Sequence, residues 1–374
     1  MTQPLRQRLA SLLQAVALPA CLSACGLAAA EAPAQPGFRI ETLAPGVHAA
    51  IRTDPPGLMV DANCLFIVND TDVVVVDAPE ASAELIAALR KLTDKPVSYL
   101  VNTHWHDDHV IGNAAWRAAY PGLRFIAHPS LRDYLPGTGA KNRAGMIAGA
   151  PQAAAQMQAQ LDQGKNLAGE PISAEERTSY ASDIALVAHY MKVVPGTPDV
   201  LPELGAAGDL VLQRGLRRIE IRRAGRGHTE SDLVVWLPQE RILASGDLVV
   251  WPVPLVGGEQ SHVNDWSASL DALLALNPAR IVPGHGPVQQ DQSYLHQLRD
   301  LFADISRRTA DARRQGLDLA AARKAVNLDD WRQRFAGDSP VRNALFRMYV
   351  IGPGVQSAWG GQEAGSSAAG EIHK

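Results

Sequence analysis

Three histidines and two aspartates crowd into one short stretch of the chain, from His104 to His109. The stretch follows an apolar run that is typical of a buried strand. In an extended segment, residues i and i+2 point the same way, so His104 and His106 can reach one metal ion together. Asp108 and His109 fall where the chain turns into a helix and can face a second metal. Imidazole and carboxylate suit Zn²⁺, although iron, manganese and cobalt accept the same ligands.

Three more potential ligands lie at the ends of predicted strands. His228 precedes the apolar run LVVWLP, Asp247 follows RILASG, and His285 follows ARIVPG. Gly284 and Gly286 frame His285 and allow the backbone to approach closely. The predicted metal ligands are therefore His104, His106, Asp108, His109, His228, Asp247 and His285.

Short β-branched runs alternate with helical periodicity over residues 38–291, which predicts an α/β catalytic domain. Two apolar runs around Asp70 and Asp72 predict a hairpin. A helical insertion over about 137–205 interrupts the alternation, and the sequence leaves open whether it is a lid over the site or packs on one side. One face of its second helix is predicted to carry Tyr180, Ile184, Val187 and Met191.

The remainder of the chain is predicted to be a helical extension over 292–350, followed by a disordered tail over 351–374. Helical spacing places four apolar side chains of the extension on one buried stripe. They are Leu295, Leu298, Phe302 and Ile305.

The motifs H-x-H-x-D-H, G-H-T, G-D and P-G-H-G resemble those of the metallo-β-lactamase fold superfamily. The resemblance covers roughly Phe38 to Asp291 and implies a four-layer αββα sandwich with metals in a cleft at one edge of the two sheets. It implies a first metal held by His104, His106 and His228, a second held by Asp108, His109 and His285, and Asp247 as the bridge. Asp77 matches an early aspartate of the family and is expected to orient a ligand, with Thr103 and Thr229 as further supporting residues.

Two Zn²⁺ ions in such a site would hold a water between them and lower its pKa from about 15.7 toward about 7. The resulting hydroxide would attack the carbonyl of a small-molecule ester, thioester, lactone or lactam. Asp108 is the expected catalytic residue, because it could orient the hydroxide and shuttle its proton.

The residues around the ligands narrow the substrate. Many β-lactamases of this fold replace the bridging aspartate with cysteine and follow it with a lysine, whereas Asp247 is followed by no lysine. The pattern is more similar to glyoxalase II-type thioesterases and lactonases, yet the basic substrate-binding residues of glyoxalase II are not evident. An apolar, proline-rich loop from Trp251 to Pro254 predicts a partly apolar substrate, and His262 in the same region is a candidate to touch it.

Two other functions compete with hydrolysis. A persulfide-dioxygenase-like enzyme of the same fold would hold a single iron with His104, His228 and Asp247, and would leave His109 and His285 without a metal. A non-catalytic metal-binding envelope protein is the third possibility, although inactive members of the fold usually lose ligands and none is missing here.

Overall composition argues against nucleic acid as a partner, since 35 Lys and Arg face 39 Asp and Glu. Cys64 lies in the apolar run CLFIV and is expected to be a buried apolar residue.

Residues 1–30 are predicted to be a signal segment, followed by a linker over 31–37. Leu22 to Cys25 resembles a lipoprotein cleavage motif, which would anchor Cys25 to a membrane through lipid; cleavage after Ala30 is the rival. Both imply a periplasmic location.

If the lipoprotein interpretation is right, a radiolabelled lipid precursor will enter the wild-type protein but not the Cys25→Ala variant. Labelling of neither protein would rule out lipidation, and N-terminal sequencing of the mature chain would then locate cleavage near Ala30.

Overall fold

The computed structural model describes residues 37–166 and 168–360. The strands of the first sheet are β1 (Phe38–Ala44), β2 (Val47–Arg52), β3 (Cys64–Val68), β4 (Val73–Val76), β5 (Val97–Val101), β6 (Arg124–Ala127) and β7 (Leu204–Gly205). They lie side by side in chain order. The first four pair antiparallel, and β4 to β7 pair in parallel. The predicted hairpin is confirmed, because Val68 pairs with Val73 across the turn that contains Asp70.

The strands of the second sheet are β8 (Leu210–Arg214), β9 (Arg217–Arg222), β10 (Val234–Leu237), β11 (Ile242–Val250) and β12 (Arg280–His285). Their order across the sheet is β12-β11-β10-β9-β8. Only the β11–β12 pair among these five strands is parallel. Parallel pairing brings the carboxyl halves of both strands, which carry Asp247 and His285, to the same edge of the sheet.

Helices fill the connections between the strands. They are α1 (Ser82–Leu92), α2 (Asp107–Val110), α3 (Asn113–Ala119), α4 (Leu131–Tyr134), α5 (Ala140–Gln163), α6 (Ala174–Val193), α7 (Val263–Ala275), α8 (Ser293–Arg314), α9 (Leu319–Ala325), α10 (Asp329–Ala336), α11 (Pro340–Phe346) and α12 (352–360). Single π-helical turns, Leu135–Gly139 and Arg347–Ile351, join α4 to α5 and α11 to α12, and a 3₁₀ turn covers Gly258–Gln260.

The two sheets pack face to face through side chains such as Val74 on the first sheet and Val235 on the second. The outer face of the first sheet, with Phe66 and Phe125, packs on α1 and α3. The outer face of the second sheet packs on α7 and α8, where Trp266 stacks on a phenylalanine of α8. Central strands such as β4 are covered on both faces and are therefore apolar on both sides, whereas the edge strand β8 keeps exposed residues. The predicted four-layer α/β architecture is confirmed.

The helical insertion lies between β6 and β7 and consists chiefly of α5 and α6. Ser173 begins α6 with a capping box completed by Glu176. The predicted apolar face of α6 is only partly right, because Val187 is buried while Tyr180, Ile184 and Met191 are half-buried. The buried residues of the helix are Glu176, Ser179, Asp183, Leu186, Val187 and Tyr190. The helix turns polar groups inward because they have partners there: Asp183 accepts hydrogen bonds from the backbone N–H groups of Leu58 and Met59 at 3.0 Å.

The C-terminal helices pack against the second sheet, and the predicted stripe of α8 is confirmed. Leu295, Leu298, Phe302 and Ile305 are each fully buried. The prediction of disorder from residue 351 is wrong for 351–360, because α12 buries Val355 and Ala358 in the same core. Small residues hid this burial from the sequence pattern. Residues 361–374 lie outside the described part of the chain.

The predicted signal segment over 1–30, Cys25 and nearly all of the predicted linker also lie outside the described residues. Across residues 37–166 and 168–360, no helix has the length and hydrophobicity needed to cross a membrane.

The stack between Trp266 and Phe302, with ring centroids 4.1 Å apart, should be a main anchor of the C-terminal helices. We expect Phe302→Ala to lower the free energy of unfolding by about 3–5 kcal/mol, because it removes a buried ring and leaves a cavity. Urea unfolding measures the change. The control is Leu216→Ala at a side chain that is 93% exposed, where a change within about 0.5 kcal/mol is expected. A similarly small effect at Phe302 would show that α8 is not part of the core.

Candidate metal centre

The crowded turn leaves the end of β5 and enters the short helix α2. His106 takes an extended conformation with φ −69° and ψ 146° just before that helix. Trp105 points the opposite way and stacks on Tyr134 of the insertion, with ring centroids 5.6 Å apart. This alternation leaves His104 and His106 on the same side, as the spacing in the sequence predicts. Asp108 and His109 follow inside α2, and both are buried.

The other three ligand candidates come from the second sheet and its loops. His228 lies in the turn before β10, and His285 is the last residue of β12. Asp247 does not end a strand, as the sequence suggests, but lies within β11 where the pairing with β12 shifts register. Gly246 causes that shift with φ +50°, and a Cβ there would lie 2.6 Å from the hydroxyl of Thr103. A Cβ at Gly284 would overlap the Asp247 carboxylate, so glycine is required at both positions.

The seven side chains form two adjoining groups whose ligand atoms lie within 4.8 Å of one another. The first group is His104, His106, His228 and Asp247, and the second is Asp108, His109 and His285. In the first group, Nε2 of His228 lies 2.8 Å from Nδ1 of His106. In the second, Nε2 of His285 lies 3.2 Å from Oδ2 of Asp108.

Asp247 connects the two groups through its two carboxylate oxygens. Its Oδ2 lies 3.4 Å from Nε2 of His228 in the first group. Its Oδ1 lies 3.1 Å from Nε2 of His109 and 3.3 Å from Nε2 of His285 in the second group. This arrangement is suited to a carboxylate shared by two cations.

The cluster contains a concentration of buried polar atoms that make no hydrogen bond of acceptable geometry within the described residues. They are Nε2 of His104, Nε2 of His109, Nε2 of His285 and Oδ1 of Asp247. Each such atom costs about 1–3 kcal/mol when it is left unsatisfied. All four belong to the two groups, and imidazole nitrogen with carboxylate oxygen is a donor set for divalent zinc. The residues therefore fit bound metal ions.

Asp77 and Thr103 hold two of these histidines from behind. Oδ2 of Asp77 lies 2.9 Å from Nδ1 of His109. The Thr103 hydroxyl donates to Asp77 at 2.9 Å, and so accepts from Nδ1 of His104 at 3.1 Å. With both Nδ1 atoms engaged, Nε2 of each ring is left to face the cluster. Asp77 has φ 62°, a strained conformation for a non-glycine residue.

Backbone carbonyls hold two further rings in the same way. Nδ1 of His228 lies 2.8 Å from the carbonyl of Leu255, and Nδ1 of His285 lies 3.2 Å from the carbonyl of Asp61. The Asp61 carboxylate in turn accepts a hydrogen bond from the backbone N–H of Glu80 at 2.9 Å. Sequence reasoning missed both contacts, because a carbonyl acceptor distant in the chain has no residue-type signal.

Other predicted site residues have different places. The side chain of Thr229 bonds Asp232 at 2.7 Å and Ser231 at 3.3 Å, so it closes the turn behind His228. Burial raises the pKa of Asp232 to about 7, against the lowering effect of the Thr229 hydrogen bonds. His262 is not among the residues that line the cleft over the cluster. Its backbone N–H donates to the carbonyl of Gly227, the residue before His228. Cys64 is buried in β3 as expected.

Burial and the neighbouring carboxylates shift the pKa values of the histidines in the cluster. Burial lowers the pKa of His104 well below its usual range. Burial also lowers the pKa of His285, but the charges of Asp247 and Asp108 outweigh it and raise the pKa to about 9. The same carboxylates, together with Asp77, raise the pKa of His109. Metal binding must therefore displace protons from the second group at neutral pH.

A cleft of about 110 Å³ opens over the cluster. Its lining residues are Leu58, Val60, Trp105, His106, Asp107, Asp108, Gly139, Asn142, Gly145, His228, Asp247, Leu255, Val256, Gly257, Gln260 and Tyr349. None of these described residues is lysine or arginine. One wall comes from the π turn and α5 of the insertion, and Tyr349 comes from the C-terminal π turn. The cleft is therefore mostly apolar around an acidic, histidine-rich floor.

Arg143 of α5 ties the insertion to the metal-binding turn. Its Nε and Nη2 donate to both carboxylate oxygens of Asp107 at 2.8–3.2 Å, while Nη1 donates to Asp199 at 2.7 Å. The Tyr190 hydroxyl of α6 donates to the same Asp107 carboxylate at 3.4 Å. Because Asp107 directly precedes Asp108, this fork holds the ligand from the insertion side.

The comparisons with known proteins agree with this geometry. The sequence model of the metallo-beta-lactamase superfamily matches residues 59–285, which include all seven clustered side chains. The protein therefore belongs to the metallo-β-lactamase superfamily.

Individual relatives differ in what they are named for. A "Metallo-beta-lactamase type 2" of Bacillus cereus is 37% identical over 128 residues, 33% of this chain and 49% of that protein. The chain thus spans about half the length of this relative. A "Beta-lactamase-like protein 2 homolog" of Caenorhabditis elegans is 25% identical over 67% of this chain and 64% of the relative. A "Linear primary-alkylsulfatase" of Pseudomonas sp. (strain ATCC 19151) is 24% identical over 66% of this chain and 46% of the relative.

Similar solved structures include the DIM-1 metallo-β-lactamase, with a TM-score of 0.48 and 20% identity over 72% of this chain and 98% of that one. A metallo-β-lactamase from Pontibacter korlensis has a TM-score of 0.48 and 19% identity over 71% of this chain and 99% of that one.

We expect Arg143→Ala to weaken zinc binding and kcat/KM by about 10–100-fold, the usual effect of losing a residue that supports a ligand. Arg143→Lys should recover only part of the loss, because lysine keeps the charge but not the two-pronged contact. Zinc affinity is measured by competition with a chromogenic chelator. Lys141→Ala, at an exposed position of the same helix, is the matched control. Unchanged zinc affinity in Arg143→Ala would mean that the fork serves only to attach the insertion.

Proposed function

We propose that the protein is a binuclear zinc-dependent hydrolase that acts on an uncharged, partly apolar carbonyl substrate. The observation that carries the proposal is the Asp247 carboxylate, which directs one oxygen to each of the two ligand groups. A site for one metal would need only the first group.

When bound, two divalent ions would supply a nucleophile at neutral pH and polarise the attacked carbonyl. His104, His106 and His228 would hold the first ion, with Asp108, His109 and His285 at the second. The protein's own catalytic group is Asp108. Burial alone would raise its pKa, but the neighbouring His109 and His285 outweigh burial and lower it. Where both histidines are neutral ligands, a bound divalent ion would supply the positive charge that keeps the carboxylate ionised. An ionised Asp108 can accept the proton of the nucleophile and pass it to the leaving group.

The lining of the cleft favours an uncharged substrate. Its described residues include no lysine or arginine, while Asp107 and Asp108 place negative charge beside the site. The nearby guanidinium of Arg143 is already engaged by two carboxylates. A substrate carboxylate, such as the one a β-lactam carries, would find no cation to pair with among these residues. Esters, thioesters and lactones with apolar groups fit the walls better.

The apolar walls come partly from a different segment than the sequence predicts. Leu255 and Val256 line the cleft, whereas Trp251, Pro252 and Val253 line a separate cavity on the His285 side. The expectation of a partly apolar substrate now rests on the first two residues, together with Leu58, Val60 and Tyr349.

The dioxygenase alternative is disfavoured by the second ligand group. Holding one iron with His104, His228 and Asp247 would leave the buried rings of His109 and His285 without a metal, facing only the carboxylates of Asp247 and Asp108. A non-catalytic role would keep the metals but show no turnover. We further propose, from the N-terminal sequence alone, that the enzyme acts in the periplasm, with a lipid on Cys25 as an anchor.

We expect purified protein to contain about two zinc ions per chain by elemental mass spectrometry, falling toward one in His285→Ala, because that variant loses a ligand of the second group only. The metal-loaded wild type should hydrolyse phenyl acetate, an acyl thioester or a simple lactone faster than a penicillin.

The control is His296→Ala, an exposed histidine on α8 that should leave zinc content and hydrolysis unchanged. One iron per chain that survives loss of His285 would overturn the proposal in favour of the dioxygenase. Two zinc ions with no hydrolysis of any of these compounds would favour a non-catalytic metal-binding protein.

A further inference from the structure

A smaller cavity, distinct from the one lined by Trp251, adjoins the cleft on the side of the insertion. Its volume is about 40 Å³, against about 110 Å³ for the cleft. The residues that line both cavities are Leu58, Val60, Asp107, Asp108 and Tyr349. This cavity therefore lies next to Asp108, the proposed catalytic aspartate. We call it the methionine arm, after Met59, Met146 and Met157 in its wall.

The wall of the arm is apolar and adaptable. Besides the methionines, it contains Ala153 of α5 and the ring of Tyr190 of α6. Methionine has three rotatable bonds and a polarisable sulfur, so it fits irregular apolar groups well. Met146 and Met157 are 7% and 8% exposed, and their packing belongs to the insertion. The arm is thus a product of the two insertion helices closing on the loop at Met59.

Two of the polar groups at the arm, Asp107 and Tyr190, are joined to each other. The Asp107 carboxylate takes the fork of Arg143 and the hydroxyl of Tyr190. The remaining ionisable groups of the wall are the acids Glu80 and Asp108, and no lysine or arginine is among its described lining residues. An anionic group in the arm would lose its hydration without gaining a lysine or arginine among the described lining residues, whereas a methylene chain would gain contact with sulfur and ring atoms.

We propose that the methionine arm binds the unbranched apolar chain on the acyl side of the scissile carbonyl. The proposal rests on the hydrolase function above and specifies its substrate class: neutral esters, thioesters or lactones of straight-chain acids. A carbonyl placed beside Asp108 can direct its chain past Leu58 into the arm. Because the arm is small, about 40 Å³, we expect it to accept a short unbranched chain more readily than an aromatic acyl group.

The test is the acyl-chain profile of the zinc-loaded enzyme with p-nitrophenyl esters from acetyl to decanoyl. Each methylene buried in the arm should raise kcat/KM about fourfold, until the chain reaches its end and the profile levels off. Ala153→Phe fills the arm and should move the levelling point to shorter chains. Met157→Ala enlarges the arm and should move it to longer chains.

Ala155→Phe is the matched control, because it makes the same change on α5 at an exposed position and should leave the profile unchanged. Zinc content and thermal melting of each variant separate a filled arm from a misfolded protein. An ester whose acyl chain ends in a carboxylate should lose the increase in kcat/KM that a longer chain brings. An ester whose chain ends in an ammonium group should have a kcat/KM no higher than that of the ester of equal length that ends in a methyl group.

The outcomes separate this proposal from the proposed function. Absence of hydrolysis for every ester, acetyl included, would count against the hydrolase itself. Hydrolysis of the acetyl ester with a flat chain profile would overturn the methionine arm alone. If Ala155→Phe shifts the chain-length profile as much as Ala153→Phe does, the methionine arm is also overturned. A higher kcat/KM for the ammonium-ended chain would overturn the apolar-chain proposal in favour of a cationic ligand.

Discussion

The carboxylate of Asp247 is the group on which the rest of the site depends, because its two oxygens reach both ligand groups. To place a charged side chain there, β11 must slip out of register with β12, and Gly246 and Gly284 must leave room for Thr103 and for the carboxylate itself. The sheets thus accept a local defect in pairing. The surrounding core, buried on both faces, supplies the rigidity that keeps such a defect in one conformation.

A layer of hydrogen bonds around the cluster fixes the orientation of its histidine rings. Side-chain acceptors hold His104 and His109, while the carbonyls of Leu255 and Asp61 hold His228 and His285. These contacts set which ring nitrogen faces the metals before any metal arrives. The insertion adds the fork of Arg143 on Asp107, so a segment outside the two sheets takes part in the same support.

The seven clustered side chains were predictable because four of them fall within six positions and the other three each stand in a short motif of chemically specific residues. The strands and the stripe of α8 were predictable from periodicity, since burial decides those positions. Three features were not. The inward face of α6 depends on Asp183 meeting the distant backbone at Leu58; the Arg143 fork joins residues far apart in the chain; and α12 buries small residues whose pattern resembles a flexible tail. In each case a long-range partner overrides the local signal.

Tyr349 bears on the shape of the cleft. Its hydroxyl donates to the carbonyl of Leu58 at 3.1 Å, and its own carbonyl accepts from the backbone of Val256, so one residue joins both loops beside the cleft. The clustered side chains come from the two sheets and the segments between their strands, whereas Tyr349 belongs to the C-terminal helices that pack on the second sheet. A change at Tyr349 can therefore reshape the wall of the cleft without removing any of the clustered side chains that would hold the metals.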